Sequence, residues 1–467
     1  NGEDVLFHGQ FAFLSVRKWL KHSRSTRLHS LILQGMNNAP RAPALTRRLL
    51  NIERGEGPLV AASFIYFFCL LCSYYIIRPV RDEMGIAGGV DQLQWVFTGT
   101  FLVMLAAVPL FGFLSARLPR SKLLPTVYLF FILNLLFFQL LLGGESAPLW
   151  GVRAFFIWVS VFNLFIVSVF WSFMADIFSN AQGKRLFALI AAGGTAGAIT
   201  GPAITTLLAG QFGTANLLLI SAGFLCGALG AILYLNRHVQ SSDKREQQGL
   251  GGSIFEGFTQ TLGSRYLLGI GLFIWLYATL STFLYFEQAH IVKAAFDDPD
   301  ARTTLFAIID LAVNSLTLLF QLLITGRIMQ KFGVATALAL MPGLLAIGFM
   351  VLAIAPILPV LIATQVVRRA GNYALTRPAR EVLYTVVPRS SKYKAKNFID
   401  TVVYRGADAA AGWLFAGMKS LGMGLTGIAW TAVPLALAWC LLGLHLGRQQ
   451  RKMAENTENA HAETQSS

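Results

Sequence analysis

The chain has 467 residues and a formal charge of +15, from 38 Lys and Arg against 23 Asp and Glu. Charged residues make up only 13% of it and hydrophobic residues 55%, whereas a soluble domain carries about 25% charge. This excludes a soluble enzyme, a disordered chain and a nucleic-acid-binding module, in spite of a pI of about 9.9. A polytopic α-helical membrane protein fits.

Residues 1–50 form a polar, basic N-terminal tail that reads as disordered and takes no part in the fold. The chain opens on Asn1, and Met36 would serve as a natural start. After Pro58, apolar runs occupy 59–77, 95–113, 123–142, 153–174, 187–209, 215–235, 267–288, 304–325, 334–355, 357–376, 398–418 and 424–446. Each is too long for a strand and close to the length that crosses a bilayer. The expected fold is an all-α membrane protein with 12 transmembrane helices in two six-helix pseudo-repeats. A bundle at 51–235 is joined by a cytoplasmic linker at 236–266 to a bundle at 267–446, followed by a polar tail at 447–467 that reads as disordered. Cys69, Cys72, Cys226 and Cys440 lie singly or as one close pair in apolar runs and read as small packing residues, not as a metal or disulfide framework.

Orientation follows from the bias of Lys and Arg among the loops. With the N-terminus inside, the inside loops carry 17 bases and the outside loops with their edges carry six. Both termini are then cytoplasmic, in the inner membrane. Anionic lipid headgroups account for most of the net charge without nucleic acid. Two echoes support the repeat: Gly112 to Pro119 matches Gly326 to Gly333 at an offset of 214, and Lys184 to Gly194 matches Lys396 to Gly406 at 212. Six-span parallel repeats build several transporter folds.

The stretch Gly112 to Lys122 resembles the inner-loop motif of the major facilitator superfamily, with Ala116 where the motif carries Asp. Gly193, Gly197 and Gly201 at spacing four, followed by Pro202, let another backbone approach span five closely. This resembles the antiporter-type motif of the same superfamily. Charges inside spans are costly and mark pathways or ion pairs. They are Arg78, Arg81, Asp82 and Glu83 closing span one, Asp176 ending span four, and Glu287 with His290 in span seven. Asp310 follows in span eight, Arg368 and Arg369 in span ten, and Asp400, Arg405 and Asp408 in span eleven. Either these rivet helices together or they line a hydrated cavity whose surplus of bases favours an anion. An unperturbed imidazole changes charge near neutrality, so His290 reads either as a proton carrier or as a satisfied structural histidine. No phosphate loop, zinc helix, EF-hand or nucleophile elbow occurs, so no enzyme, cofactor or metal is expected.

Tyr75-Ile-Ile-Arg78-Pro-Val-Arg81-Asp82 resembles a Leu-Arg-x-x-Lys-Asp stretch of the bacterial and plastid ATP/ADP antiporters. Phe170-Trp171 with Lys184-Arg185-Leu-Phe187, Glu287, and Lys394-Ala-Lys396-Asn-Phe-Ile-Asp400 with Arg405-Gly406 follow that family's order. The family's span-one Lys is Arg81 here, and its Trp-Lys after the span-seven Glu is Ala289-His290. Val159 and Ser160 stand near the place of its span-four Glu.

The resemblance implies a major-facilitator-type secondary transporter that exchanges nucleotides such as ATP and ADP, or a related organic anion, by alternating access. Arg78, Arg81, Glu287, Arg368, Arg369 and Arg405 are the expected substrate-binding residues. Asp82, Asp176, Lys184, Arg185, His290, Asp310, Lys394, Lys396, Asp400 and Asp408 are expected in coupling or gating. The bilayer, a small anionic solute and a coupling proton are the expected partners. Proton-coupled import or export of another small solute is the alternative; a membrane-embedded enzyme or scaffold is weakest, since no nucleophile or metal cluster appears.

Overall fold

The computed structural model describes residues 52–53, 55–117, 120–144, 147–239 and 254–466. The tail 1–50 and residues 240–253 of the linker lie outside the described residues. The chain forms α1 Gly57–Ala87, α2 Leu93–Arg117, α3 Arg120–Leu142, α4 Leu149–Ile177, α5 Asn180–Phe212 and α6 Leu217–Val239. A short helix, α7 Ile254–Gly263, precedes α8 Arg265–Ala295, α9 Pro299–Leu323 and α10 Thr325–Ile354. Two composite rods follow. One joins α11 Leu358–Gly371 through a π segment, Asn372–Thr376, to α12 Arg377–Leu383; the other joins α13 Arg389–Phe398 through Ile399–Val403 to α14 Tyr404–Ser420. The last helix is α15, Leu425–Ser466.

Among the described residues, ten helices are long and apolar enough to cross a membrane. Counted with them, the two composite rods give twelve, consistent with the number the sequence predicts. Their sequences carry buried charges, and their π segments interrupt the regular ladder, a feature that recurs at functional sites. Short spans of residues connect the helices, and the helix ends are closed locally. Ser179 and Gln182 form a reciprocal capping box at the start of α5. Asp298 accepts from the Asp300 and Ala301 amides ahead of α9. Pro79, Pro109, Pro125, Pro202, Pro342 and Pro434 lie inside helices, where packed neighbours make the lost backbone bond tolerable. At Gly333 (φ 79°) α10 turns sharply, a conformation that favours glycine. The apolar span begins directly after it, as the hydropathy pattern predicts.

The buried apolar side chains form two cores. One is built wholly from α1 and α3–α6. The other belongs to α8–α15 but also takes in Ile86, Val90, Leu93, Val96, Phe97 and Phe156. The two sets of helices therefore join at the end of the molecule opposite the described C-terminus. Across this join α5 packs on α9, α2 on α14, and α1 on α9.

Close packing within the first set depends on glycine. A Cβ on Gly197 would stand 2.4 Å from the Phe68 carbonyl oxygen, and one on Gly201 2.8 Å from that of Cys72. The predicted glycine groove of span five thus receives α1 backbone to backbone, and dispersion contacts accumulate over its length.

Two expectations are corrected. The tail 447–467 is not irregular: α15 continues as helix to Ser466, with Arg451 and Glu455 paired at 2.8 Å in i,i+4 register. Its polar residues are good helix formers, and an established apolar helix has already met the cost of nucleation. The second correction concerns Arg377 and Arg380, which the loop count assigns to an inside loop. Both are buried in α12, because the π segment carries the rod beyond its apolar stretch.

Candidate functional site

The charged residues of α1, α9, α11 and α14 meet between the two helix sets. Asp310 of α9 accepts from Arg369 Nη2 at 2.6 Å, and Arg78 Nη1 of α1 lies 3.6 Å from the same oxygen. Asp310 is 1% exposed, so the charge is screened by protein rather than water. Two bases on one carboxylate leave a net positive centre. The Arg78 Nε and Nη1 and the Asp310 Oδ2 make no hydrogen bond. Buried polar atoms of this kind need an explanation in function or in strain.

One turn further along α1, Arg81 lies over the Phe156 ring at 4.0 Å and donates to Asp82 Oδ1 at 3.2 Å. Tyr285 of α8 donates to the same oxygen at 3.1 Å. Arg405 donates to Asp408 Oδ2 at 3.3 Å, and Thr282 donates to Asp408 Oδ1 at 3.0 Å. Arg81, Phe97, Thr100, Phe156, Arg405 and Asp408 enclose a cavity of about 10 Å³ between the sets, enough for one water. Asn314 of α9 donates to the Ala198 carbonyl of α5 at 2.6 Å.

Arg368 and Arg369 take different directions, as consecutive helix positions must. Arg369 reaches Asp310. Arg368 donates to Ser281 at 2.7 Å and to Gln365 Oε1 at 3.0 Å, and it borders a largely apolar groove of about 310 Å³ between α10 and α11. Arg377 lies over Tyr373 at 5.2 Å.

At the joined end, Arg302 of α9 forms two bonds to Glu83 of α1, 2.7 Å from Nε and 2.8 Å from Nη2. Asp300 accepts from the Thr214 amide and hydroxyl at 2.7 and 2.6 Å. Asp91, just before α2, meets Lys419 at 2.9 Å and His290 at 3.5 Å. Trp413 donates to Thr98 at 3.0 Å. These ties cross from one helix set to the other. The ties named at the opposite end stay within one set. Arg185 bonds Glu56 at 2.9 Å, Lys396 bonds Glu381 at 2.6 Å, and Arg380 pairs with Asp400 at 3.3 Å.

Of the expected substrate residues, Arg78, Arg81, Arg369 and Arg405 come together at the join. Arg368 points to the groove instead. Glu287 is 1% exposed and neither carboxyl oxygen has a hydrogen-bond partner. Of the acids expected to pair with the substrate arginines, Asp310 does so, with Arg78 and Arg369; Glu287 does not, and Asp400 pairs instead with Arg380. Among the expected coupling residues, Asp82, Asp310 and Asp408 join the centre and His290 joins the rim. Arg185, Lys396 and Asp400 lie at the other end, within their own helix set. Asp176 is exposed at the end of α4. The Lys184 and Lys394 side chains lie outside the described residues, as do those of the Gly112–Lys122 motif. Arg302 and Lys419 are two of the six bases that the loop count assigns to the outside loops and their edges. Their partners Glu83 and Asp91 are distant in sequence, so spacing carries no signal of the pairing.

Residues 59–363 match the family described as Major Facilitator Superfamily. The chain belongs to the major facilitator superfamily. As a member it is a multi-pass integral membrane protein and a transporter, not an enzyme. It is 23% identical to ADP,ATP carrier protein 1 of Chlamydia muridarum (strain MoPn / Nigg) over 425 residues, covering 76% of this chain and 80% of the carrier. The corresponding carrier of Chlamydia trachomatis serovar D matches at the same identity and coverage. Among solved structures, a mutant of the nucleoside transporter NupG superposes with a TM-score of 0.61 at 13% identity, covering 85% of this chain and 99% of that one. A bacterial homologue of the iron transporter ferroportin, in an inward-facing state, gives 0.60 at 13% identity, covering 84% and 98%. These likenesses establish the transporter fold.

Proposed function

We propose that this transporter exchanges nucleotides of the ATP/ADP kind, or a closely related organic phosphate, across the inner membrane. The observation that carries the reading is the excess of buried arginine at the join. Arg78, Arg81, Arg369 and Arg405 face Asp82, Asp310 and Asp408, and Arg78 keeps donors that no protein acceptor uses. Arginine forks match phosphate oxygens, and charge-assisted bonds in a dry site are strong. An entering anion competes with Asp310 for Arg78 and Arg369. That competition couples binding to the contact between α1 and α9. The chain then works by alternating access, with 51–235 rocking against 267–446 about these residues. The excess of bases in the loops on the side of the termini supports an orientation with both termini in the cytoplasm. The likeness to the two chlamydial ADP,ATP carriers supports a nucleotide over other anions.

The test is counterflow in proteoliposomes loaded with unlabelled ADP. Uptake of labelled ATP should exceed that of labelled nucleosides and dicarboxylates, and should require internal nucleotide.

One observation favours a second reading, proton-coupled movement of a solute. Glu287 is a buried carboxyl without a hydrogen-bond partner, and ionising such a group unaided is costly. Uptake that follows an imposed pH gradient, needs no internal nucleotide and is lost in Glu287→Gln would establish that reading instead.

A further inference from the structure

We propose that Asn314 is a positioning residue, a pin across the join that takes the backbone carbonyl Pro202 leaves without a helical donor and so keeps α9 in register on α5. Proline has no N–H, and inside a helix it deprives the carbonyl four residues earlier of its partner. Pro202 lies within α5, so that carbonyl belongs to Ala198. Ala198 is 1% exposed, and a buried carbonyl without a donor is costly. The donor comes from the other helix set: Asn314 Nδ2 stands 2.6 Å from the Ala198 oxygen. A carbonyl only accepts, so the amide is held with its nitrogen towards α5. Asn314 is 3% exposed, and its Oδ1 has no hydrogen-bond partner. The side chain is thus tied through its nitrogen.

The same repair occurs within the second set. Pro378, at the start of α12, brings no N–H to the carbonyls four and five residues before it. The Ala374 carbonyl accepts from Thr325 Oγ1 at 2.7 Å, and the Tyr373 carbonyl from Gln321 Nε2 at 3.4 Å. Gln321 stands about two turns beyond Asn314 on α9. Side chains of α9 therefore serve proline-affected carbonyls on both neighbours, α5 of the first set and the rod that carries Arg369.

What the pin positions follows from helix geometry. Asp310 lies at i−4 to Asn314, on the same face of α9, where it meets Arg78 of the first set and Arg369 of its own. A slip of α9 along α5 would carry Asp310 away from Arg78; the bond from Asn314 to Ala198 opposes that slip. The bond also lies one turn from the residues about which the sets rock. Displacement in a rocking motion grows with distance from its axis, so this bond stays closed in both facing states while the ties at the joined end part. The pin rests on the rocking motion proposed above and on no particular substrate.

The experiment uses full-length protein in nanodiscs, with the native cysteines replaced and spin labels at Leu207 and Leu319, exposed positions of α5 and α9. The wild type should give one narrow distance. Asn314→Leu keeps the bulk and removes the donor; it should lower the unfolding midpoint and broaden the distance. Pro202→Ala supplies the Ala198 carbonyl with a donor inside α5. Added to Asn314→Leu it should restore most of the midpoint, but the distance should stay broad, because nothing polar then ties the two helices. Labelled-ATP counterflow per folded molecule should fall about two- to tenfold in Asn314→Leu, the worth of one hydrogen bond, and stay low in the double variant. An Asn314→Leu distance as narrow as the wild type's would overturn the pin. So would a double variant that recovers the narrow distance, which would leave Asn314 the purely structural task of satisfying Ala198. A midpoint that Pro202→Ala fails to restore would break the link to Pro202 and overturn the proposal too. A wild type without nucleotide counterflow would contradict the nucleotide reading, and the distances and midpoints would still decide for or against the pin.

Discussion

Glu83 on α1 and Arg302 on α9 are 219 residues apart in sequence, yet they form a two-bond ion pair of 2.7 and 2.8 Å with the carboxylate fully removed from solvent. This pair spans the joined end. Removing one partner of a buried pair leaves the other charge uncompensated, at a cost of about 3–5 kcal/mol. Glu83→Ala and Arg302→Ala should each open this end, and the double variant should recover part of the loss. Cysteine accessibility at Val90 measures it. Additive effects of the two substitutions would mean that the pair is not a unit.

The contact between α1 and α5 makes a second prediction. Gly197→Ala places a carbon 2.4 Å from the Phe68 oxygen, and overpacking of this kind costs about 1–3 kcal/mol. Gly223→Ala, where nothing lies within 4 Å, should leave thermal stability in detergent unchanged. The comparison of the two unfolding midpoints separates close packing from a general intolerance of substitution.

The central arginines make a third. Arg369→Ala removes the Asp310 partner at 2.6 Å, and a charged hydrogen bond is worth about 1.5–3 kcal/mol. Exchange should fall roughly 10- to 100-fold with normal insertion. Arg368→Ala should affect exchange less, since Arg368 is directed at Ser281 and the apolar groove. Equal losses in both would show that the two arginines act together.

How much of this is legible in the sequence differs between elements. The bilayer-length runs identify most helices because burial in lipid demands one simple pattern. Gly193, Gly197 and Gly201 disclose close approach for a similarly local reason: the spacing puts them on one face. Arg377 and Arg380 read as loop residues because a π segment is decided by packing around Tyr373 and Ala374, which local hydropathy does not encode. Arg78 and Asp310 are recognisable as costly intramembrane charges, but their meeting depends on the approach of α1 and α9. Glu287 is recognisable on the same ground, but nothing in its flanking residues distinguishes a carboxyl without a hydrogen-bond partner from a paired one such as Asp310.

The opposite end of the molecule carries a pH prediction. Burial alone would raise the Glu56 carboxyl, but bonds from the Glu53 amide, Gln182 and Arg185 outweigh it and hold the group below its ordinary value of 4.5. The folded state thus favours the ionised form. Its contribution to stability is present above the unfolded-state value and is lost as pH falls through the folded-state one. Glu56→Gln should lower the unfolding midpoint at neutral pH, with the difference from wild type shrinking under acid conditions. A constant difference across the range would remove the charge from the explanation.

The account turns on an anion site made by arginines at the join, and nucleotide counterflow into liposomes tests it most directly. Wild-type protein should accumulate labelled ATP only against internal nucleotide, and Arg78→Ala combined with Arg369→Ala should abolish that accumulation. Undiminished nucleotide exchange by the double variant, or no nucleotide exchange by the wild type alongside robust transport of an uncharged solute, would contradict it.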